Sequence, residues 1–230
     1  HSGTAGRERR HRFSHRVGMS VPPALFALNE ETLRQGLQAL CDHDTDLAEV
    51  RSRLGPPPLW AREPGFPTLI HIILEQQVSL ASARAAFNRL LAVASPLTPA
   101  RFLDLDDLTL KTAGFSRQKT AYGRGLAQAI DDGQLDLDLL ATLDDETVHS
   151  KLVAIKDRVP CATAISVLMT LRRPDVWPNS DLALAVAAQR VKKLEKRSTP
   201  QELDALGARW RPWRAVAARL LWHHYLSSRQ

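Results

Sequence analysis

Apolar residues recur along this chain at intervals of three and four, the spacing of one face of an α-helix. Leu33, Leu37, Leu40 and Cys41 form one such stripe, and Leu47, Val50 and Leu54 form the next. Leu69, Ile72, Ile73 and Gln76 follow, then Ala83, Phe87, Leu90 and Leu91. Near the C-terminus Trp213, Ala217, Leu220 and Leu221 repeat the pattern. Helix starts are well marked. Thr98-Pro99 and Thr199-Pro200 each place a capping hydroxyl before a proline, and Thr199 to Glu202 reads as a capping box. Ser116 and Asp144 are further caps. Gly55-Pro56-Pro57-Pro58, Pro64-Gly65 and the segment from Pro174 to Pro178 break the pattern. No stretch alternates apolar and polar residues as a half-buried strand does. The pattern predicts an all-α protein of about ten helices.

A chain of 230 residues, 44% of them hydrophobic, can bury one large core or two small lobes that share a cleft. The apolar run from Leu69 to Leu74 is interrupted by His71, and no apolar run approaches a membrane span of about 20 residues. Two cysteines, Cys41 and Cys161, are too few for a disulfide framework or a four-thiolate metal site, and they point to an intracellular protein. The net charge of +6 is uneven: five arginines and one glutamate lie in the first 19 residues, and the remaining 26 basic and 24 acidic residues nearly cancel. Residues 1–19 therefore read as a basic tail or leader, with Met19 as a natural start, and residues 20–230 as the folded part. Any affinity of that part for a polyanion must come from local placement of charge.

Three segments carry candidate chemistry. In the first, prolines and polar residues from Pro174 to Ser180 give way to the apolar Leu182-Ala183-Leu184, which puts Asp181 at a helix start. Asp181 is then an ordinary N-cap, or a carboxylate fixed by the cap and facing a cleft, and spacing does not choose between them. In the second, Leu152 to Ile155 ends one helix, Lys156-Asp157-Arg158-Val159 links, and Pro160-Cys161-Ala162 begins another. That is an αα-hairpin, or a clasp in which free N–H groups of the second helix meet a phosphate. In the third, Trp210, Trp213 and Trp222 are core aromatics or the lining of a pocket for a flat ring.

Taken together, these blocks resemble the helix-hairpin-helix DNA glycosylases, in particular the 3-methyladenine glycosylase II branch. Phe66 to Ser79, including Glu75-Gln76-Gln77-Val78-Ser79, resembles the helix and wedge turn that open the family's domain. Asp175 to Leu184 resembles its catalytic-aspartate segment, and Trp210 to Trp222 its closing helix. Gly114 to Lys119 matches a further turn. The likeness runs from about Leu47 to Leu226 and implies a two-lobed helical fold with a cleft between the lobes.

The resemblance also assigns roles. Asp181 would support cleavage of the glycosidic bond, Gln77 would be the wedge that fills the gap left by an extruded base, and Trp222 would line the base cleft. Cys161 and Ile165 would complete that pocket, standing where the branch often has Trp and Tyr. Lys156, Arg158, Pro160, Cys161 and Ala162 would meet the DNA backbone. Because Cys161 occupies the place of the lysine of bifunctional relatives, no Schiff base can form there and the enzyme would be monofunctional. The implied reaction is hydrolysis of alkylated purines from double-stranded DNA in base excision repair. It requires no cofactor and no metal ligand, and it implies a cytoplasmic monomer with no membrane partner. The hairpin reads Asp157-Arg158-Val159 where the family has Gly-apolar-Gly, so a second reading is a catalytically weak or inactive DNA-binding, damage-sensing protein on the same scaffold.

Overall fold

A computed structural model describes residues 27–154 and 167–228. They are helical, with no strand among them. In chain order the helices are α1 (Glu30–His43), α2 (Thr45–Leu54), α3 (Phe66–Glu75), α4 (Leu80–Val93), α5 (Pro99–Leu103) and α6 (Asp107–Ala113). They continue as α7 (Arg117–Asp131), α8 (Leu137–Thr142), α9 (Asp145–Ala154), α10 (Leu182–Val191), α11 (Pro200–Gly207) and α12 (Arg214–Ser227). The described residues thus exceed the ten or so helices predicted from the pattern. The surplus consists of short helices such as α5 and α8, which periodicity over a long window does not detect. No helix among the described residues is long and apolar enough to cross a membrane.

The capping residues act as their types predict. Thr98, Ser116 and Asp144 accept from backbone N–H groups three residues on. Thr199 and Glu202 form the reciprocal capping box. The glycine of Gly55-Pro56-Pro57-Pro58 ends α2 with φ +76°, a conformation that glycine adopts without steric cost.

The helices pack in two groups. In one, α3 packs on α4 and α7, and α5 lies along α7. Phe102 is fully buried there, edge-on to Phe66 and tilted against Phe115. In the other, α12 packs on α10, α2 and α1. Every residue of α12 from Ala215 to Leu221 is buried. The stripe read from Trp213, Ala217, Leu220 and Leu221 is buried as expected, and burial extends to every residue from Ala215 to Leu221, so the first half of the helix is enclosed all round, with Trp213 at its N-cap.

Two further expectations are corrected near residue 77. Gln76 does not continue the stripe of α3, because the helix stops at Glu75. With Gln77 on a turn, its neighbours Ile73 and Leu80 are both expected in the core; Ile73 is fully buried, but Leu80 is 61% exposed. The chain turns between the two helices, so the buried face of α4 begins only at Ala83 and continues through Ala86 and Leu90.

Asp44 locks the second group. Its Oδ1 caps α2 by accepting from the N–H groups of Asp46 and Leu47. Lys192 Nζ, at the end of α10, lies 2.9 Å from both carboxylate oxygens. The indole Nε1 of Trp210 donates to Oδ2 at 2.9 Å. Burial pushes the Asp44 carboxyl up, but hydrogen bonds from Lys192, Trp210 and the Leu47 amide outweigh it and hold the group below its ordinary 3.8. A carboxylate whose folded pKa is depressed adds stability above its unfolded value, and that stability is lost as pH falls through the folded value. Urea unfolding of the parent is therefore expected to show a loss of stability below about pH 4 to which Asp44 contributes. Asp44→Asn is expected to be less stable at pH 7, by about 1–3 kcal/mol, and to show a shallower decline with acid. An unchanged acid limb in the variant would show that Asp44 does not carry that dependence.

Candidate active site

The segment between residues 174 and 181 has no regular structure, yet it is tied down along its length. Asp175 makes a two-pronged pair with Arg214, Oδ1 to Nε at 2.9 Å and Oδ2 to Nη2 at 3.0 Å. This fork fixes orientation as well as distance. The Ala215 N–H donates to the Pro174 carbonyl at 3.0 Å. Trp177 is buried, edge-on to Trp210, and its Nε1 donates to the Leu203 carbonyl at 3.0 Å. Asn179 Nδ2 donates to Asp204 at 2.7 Å.

Asp181 follows directly. It is the N-cap of α10, with extended backbone, and its Oδ1 accepts from the Leu184 N–H at 2.6 Å. The same Oδ1 accepts from the indole Nε1 of Trp222 at 3.0 Å. Oδ2 takes no hydrogen bond from the described residues and is not a buried atom lacking a partner. One oxygen thus anchors the side chain and the other stays open to approach. Asp181 and Trp222 are each half-buried, and Leu182 beside them is 61% exposed. Asp181 is an N-cap, as the first of its two readings has it, and the cap holds its carboxylate against an indole 41 residues further on.

Arg214 and Trp222 lie eight residues apart on α12, roughly 12 Å along the helix. The segment that carries Asp181 is therefore clamped to one helix at two points, by Asp175 at its start and by Asp181 at its end.

Gln77 lies on the turn between α3 and α4, exposed, with a left-handed φ of +59°. The turn is braced from below by a residue that sequence reading passed over. Lys119, on α7, donates from Nζ to the carbonyl of Leu74 at 2.7 Å, and burial pulls its pKa down. The Gly114 to Lys119 block that resembles a family turn thus has a physical task, since its last residue holds the end of α3. At the next residue Arg62 Nη2 donates to both carboxylate oxygens of Glu75, at 2.9 and 3.1 Å. The remaining assigned residues, Lys156, Arg158, Pro160, Cys161, Ala162 and Ile165, lie outside the described residues, as do Asp157 and Val159.

The fold and this pairing of a capping aspartate with an indole define a helical protein built around a carboxylate. Residues 70–212 match the family model of the HhH-GPD superfamily base excision DNA repair proteins, and the chain belongs to that superfamily. YfjP of Bacillus subtilis (strain 168) is 25% identical over 196 residues, 81% of this chain and 68% of its own length. DNA-3-methyladenine glycosylase 1 of Schizosaccharomyces pombe is 27% identical over 165 residues, 70% of this chain and 72% of that protein. A solved structure of a 3-methyladenine DNA glycosylase from that yeast, in complex with abasic DNA, superposes with a TM-score of 0.74 at 24% identity. It covers 82% of this chain and 95% of the other.

A double-mutant cycle tests the central contact. Trp222→Phe keeps most of the ring and removes the indole N–H, and Asp181→Ala removes the acceptor. The cycle is expected to give a coupling of about 1 kcal/mol in urea unfolding. A coupling indistinguishable from zero would mean that the bond does not hold the carboxylate in place.

Proposed function

We propose that this protein is a monofunctional DNA glycosylase that releases alkylated purines from double-stranded DNA, with Asp181 as its catalytic carboxylate. The observation that carries the reading is the Asp181–Trp222 pair, set in a member of a base-excision repair superfamily. An N-alkylated purine is cationic, so its glycosidic bond is already weakened and the base leaves neutral. The positive charge then develops on the sugar. A carboxylate with one free oxygen, fixed by two hydrogen bonds to the other, stabilises that charge without reorganising as it forms. The same oxygen can orient the water that attacks the sugar.

The target base must first leave the stack. Gln77 supports this step as the wedge: it stands exposed on a turn whose α3 flank is tied at Leu74 by Lys119 and at Glu75 by Arg62. Trp222, its N–H committed to Asp181, offers its ring to the extruded base. The reading makes the protein a cytoplasmic monomer, nucleoid-associated if bacterial, with no membrane partner.

Asparagine caps a helix about as well as aspartate, so Asp181→Asn removes the charge and leaves the cap. Base release from methylated duplex DNA, measured under single turnover, is expected to fall on the order of 100-fold in that variant while DNA binding persists. Undiminished release would remove Asp181 from the chemistry. A folded parent that binds DNA and releases no base would establish the damage-sensing reading instead. Gln77→Ala is expected to leave stability within about 0.5 kcal/mol, since the side chain is exposed, and to slow base release by about 10-fold or more. An equal rate in that variant would assign the wedge elsewhere.

A further inference from the structure

The short link between α6 and α7, together with the first turn of α7, reaches both helices that flank Gln77. On the α4 side, Gly114 closes α6 with a left-handed φ of +112°, and its N–H donates to the Leu110 and Lys111 carbonyls. It lies so close to α4 that an added Cβ would sit 3.0 Å from the Ala86 Cβ and 2.9 Å from Nη2 of Arg89. Arg89, also on α4, donates from Nε to the Ala113 carbonyl at 3.1 Å. Phe115 is buried beside Phe102 and fastens the link to the core.

On the α3 side the tie is the bond from Lys119 Nζ to the Leu74 carbonyl, at 2.7 Å. A helix end leaves its last carbonyls without intrahelical partners. At the end of α3 the Ile73 carbonyl takes the Gln76 N–H, and among the described residues no backbone N–H donates to the Leu74 carbonyl. Lys119 supplies the missing donor. Three residues after Leu74, Gln77 has a left-handed φ of +59°, which a residue with a Cβ keeps at a cost unless its surroundings hold it. Both flanks of the Gln77 turn are thus tied to one link, α4 through Gly114 and Arg89 and α3 through Lys119.

We propose that Lys119 is a positioning residue for base extrusion: by holding the end of α3 to α7, it fixes the left-handed turn that presents Gln77 to the duplex. The proposal rests on the glycosylase reading and on Gln77 as its wedge. In this role Lys119 touches no reacting atom and acts through Gln77. Its removal leaves the Leu74 carbonyl without a donor and frees the turn to relax. A wedge displaced by about an ångström fills the gap poorly, and the extruded state loses population.

The test compares four proteins, the parent, Gln77→Ala, Lys119→Met and the double variant, in single-turnover release of base from methylated duplex. Met keeps the aliphatic stem of lysine and removes the donor. Lys119→Met is expected to slow release about 10-fold in the parent and to add less than about 2-fold to Gln77→Ala. A merely structural loss lowers the fraction of active molecules, and so the amplitude of release, without changing the rate constant of those that remain. Where Lys119→Met does not fold, Lys119→Gln replaces it with the same outcome expected, since its shorter side chain leaves room for water at the Leu74 carbonyl. Equal slowing with and without the Gln77 side chain, or no slowing in the parent, overturns the role of Lys119 and leaves the glycosylase reading standing. A Gln77→Ala variant as fast as the parent overturns the wedge and the role of Lys119 with it. A parent that releases no base overturns the glycosylase reading as well.

Discussion

The enclosure of the first half of α12 is the constraint on which the rest of the structure depends. A helix buried from Ala215 to Leu221 can have no polar face, and its neighbours must approach closely on every side. Small residues make this possible. Ala215, Ala217 and Ala218 leave room around the helix, and Gly36 of α1 lies so near that an added Cβ would sit 2.6 Å from the Trp213 ring. The one charged residue inside, Arg219, is satisfied by the carbonyls of Leu59 and Ala215. Burial and the neighbouring Arg172 charge pull its pKa down to about 10, which leaves it protonated at neutral pH. A helix held in this way cannot shift without disturbing α1, α2 and α10 together. Asp175, Asp181 and the Leu59 carbonyl are all bonded to it, so the site inherits its rigidity.

Rigidity matters here because the reaction develops charge on a sugar that is bound only briefly. A carboxylate on a mobile loop would have to be oriented during each turnover. The segment from Pro174 to Asp181 lacks regular structure but is bonded at Pro174, Asp175, Trp177, Asn179 and Asp181. The irregular backbone lets the chain deliver an acid to a helix start, and the bonds keep it there.

Much of this was legible in the sequence, for identifiable reasons. Caps were legible because each uses a few adjacent residues: Thr98, Ser116, Asp144, Thr199 and Asp181 all cap as their types predict. The exposed turn at Gln77 was legible through the resemblance of its flanking helix. Periodicity failed where the chain turns or is enclosed. Leu80 follows Ile73 at a helical interval of seven, but residues 76–79 lie outside both helices and reset the phase, so Leu80 faces solvent. The closing helix read as a stripe because its small residues look neutral on an apolar scale, although they are the ones that allow burial all round. Lys119 gave no signal, because it acts across 45 residues on a backbone carbonyl, which side-chain patterns do not report.

The structure also contains its own control for Asp181. Asp44 and Asp181 are both N-cap aspartates, and each accepts from an indole Nε1, Trp210 at 2.9 Å and Trp222 at 3.0 Å. What separates them is the second oxygen and the nearest cation. At Asp44 both oxygens are engaged and Lys192 neutralises the charge, so the group joins α1, α2 and α10 and has nothing left to offer a ligand. At Asp181 both bonds fall on Oδ1, and no lysine or arginine among the described residues pairs with the carboxylate. A motif of capping aspartate and indole is therefore not itself catalytic. It becomes a candidate where no neutralising cation stands beside it, because the carboxylate then keeps its charge and one oxygen for a cationic partner that arrives from outside. The developing charge of a sugar losing its base is such a partner, and it is present only while the bond is breaking.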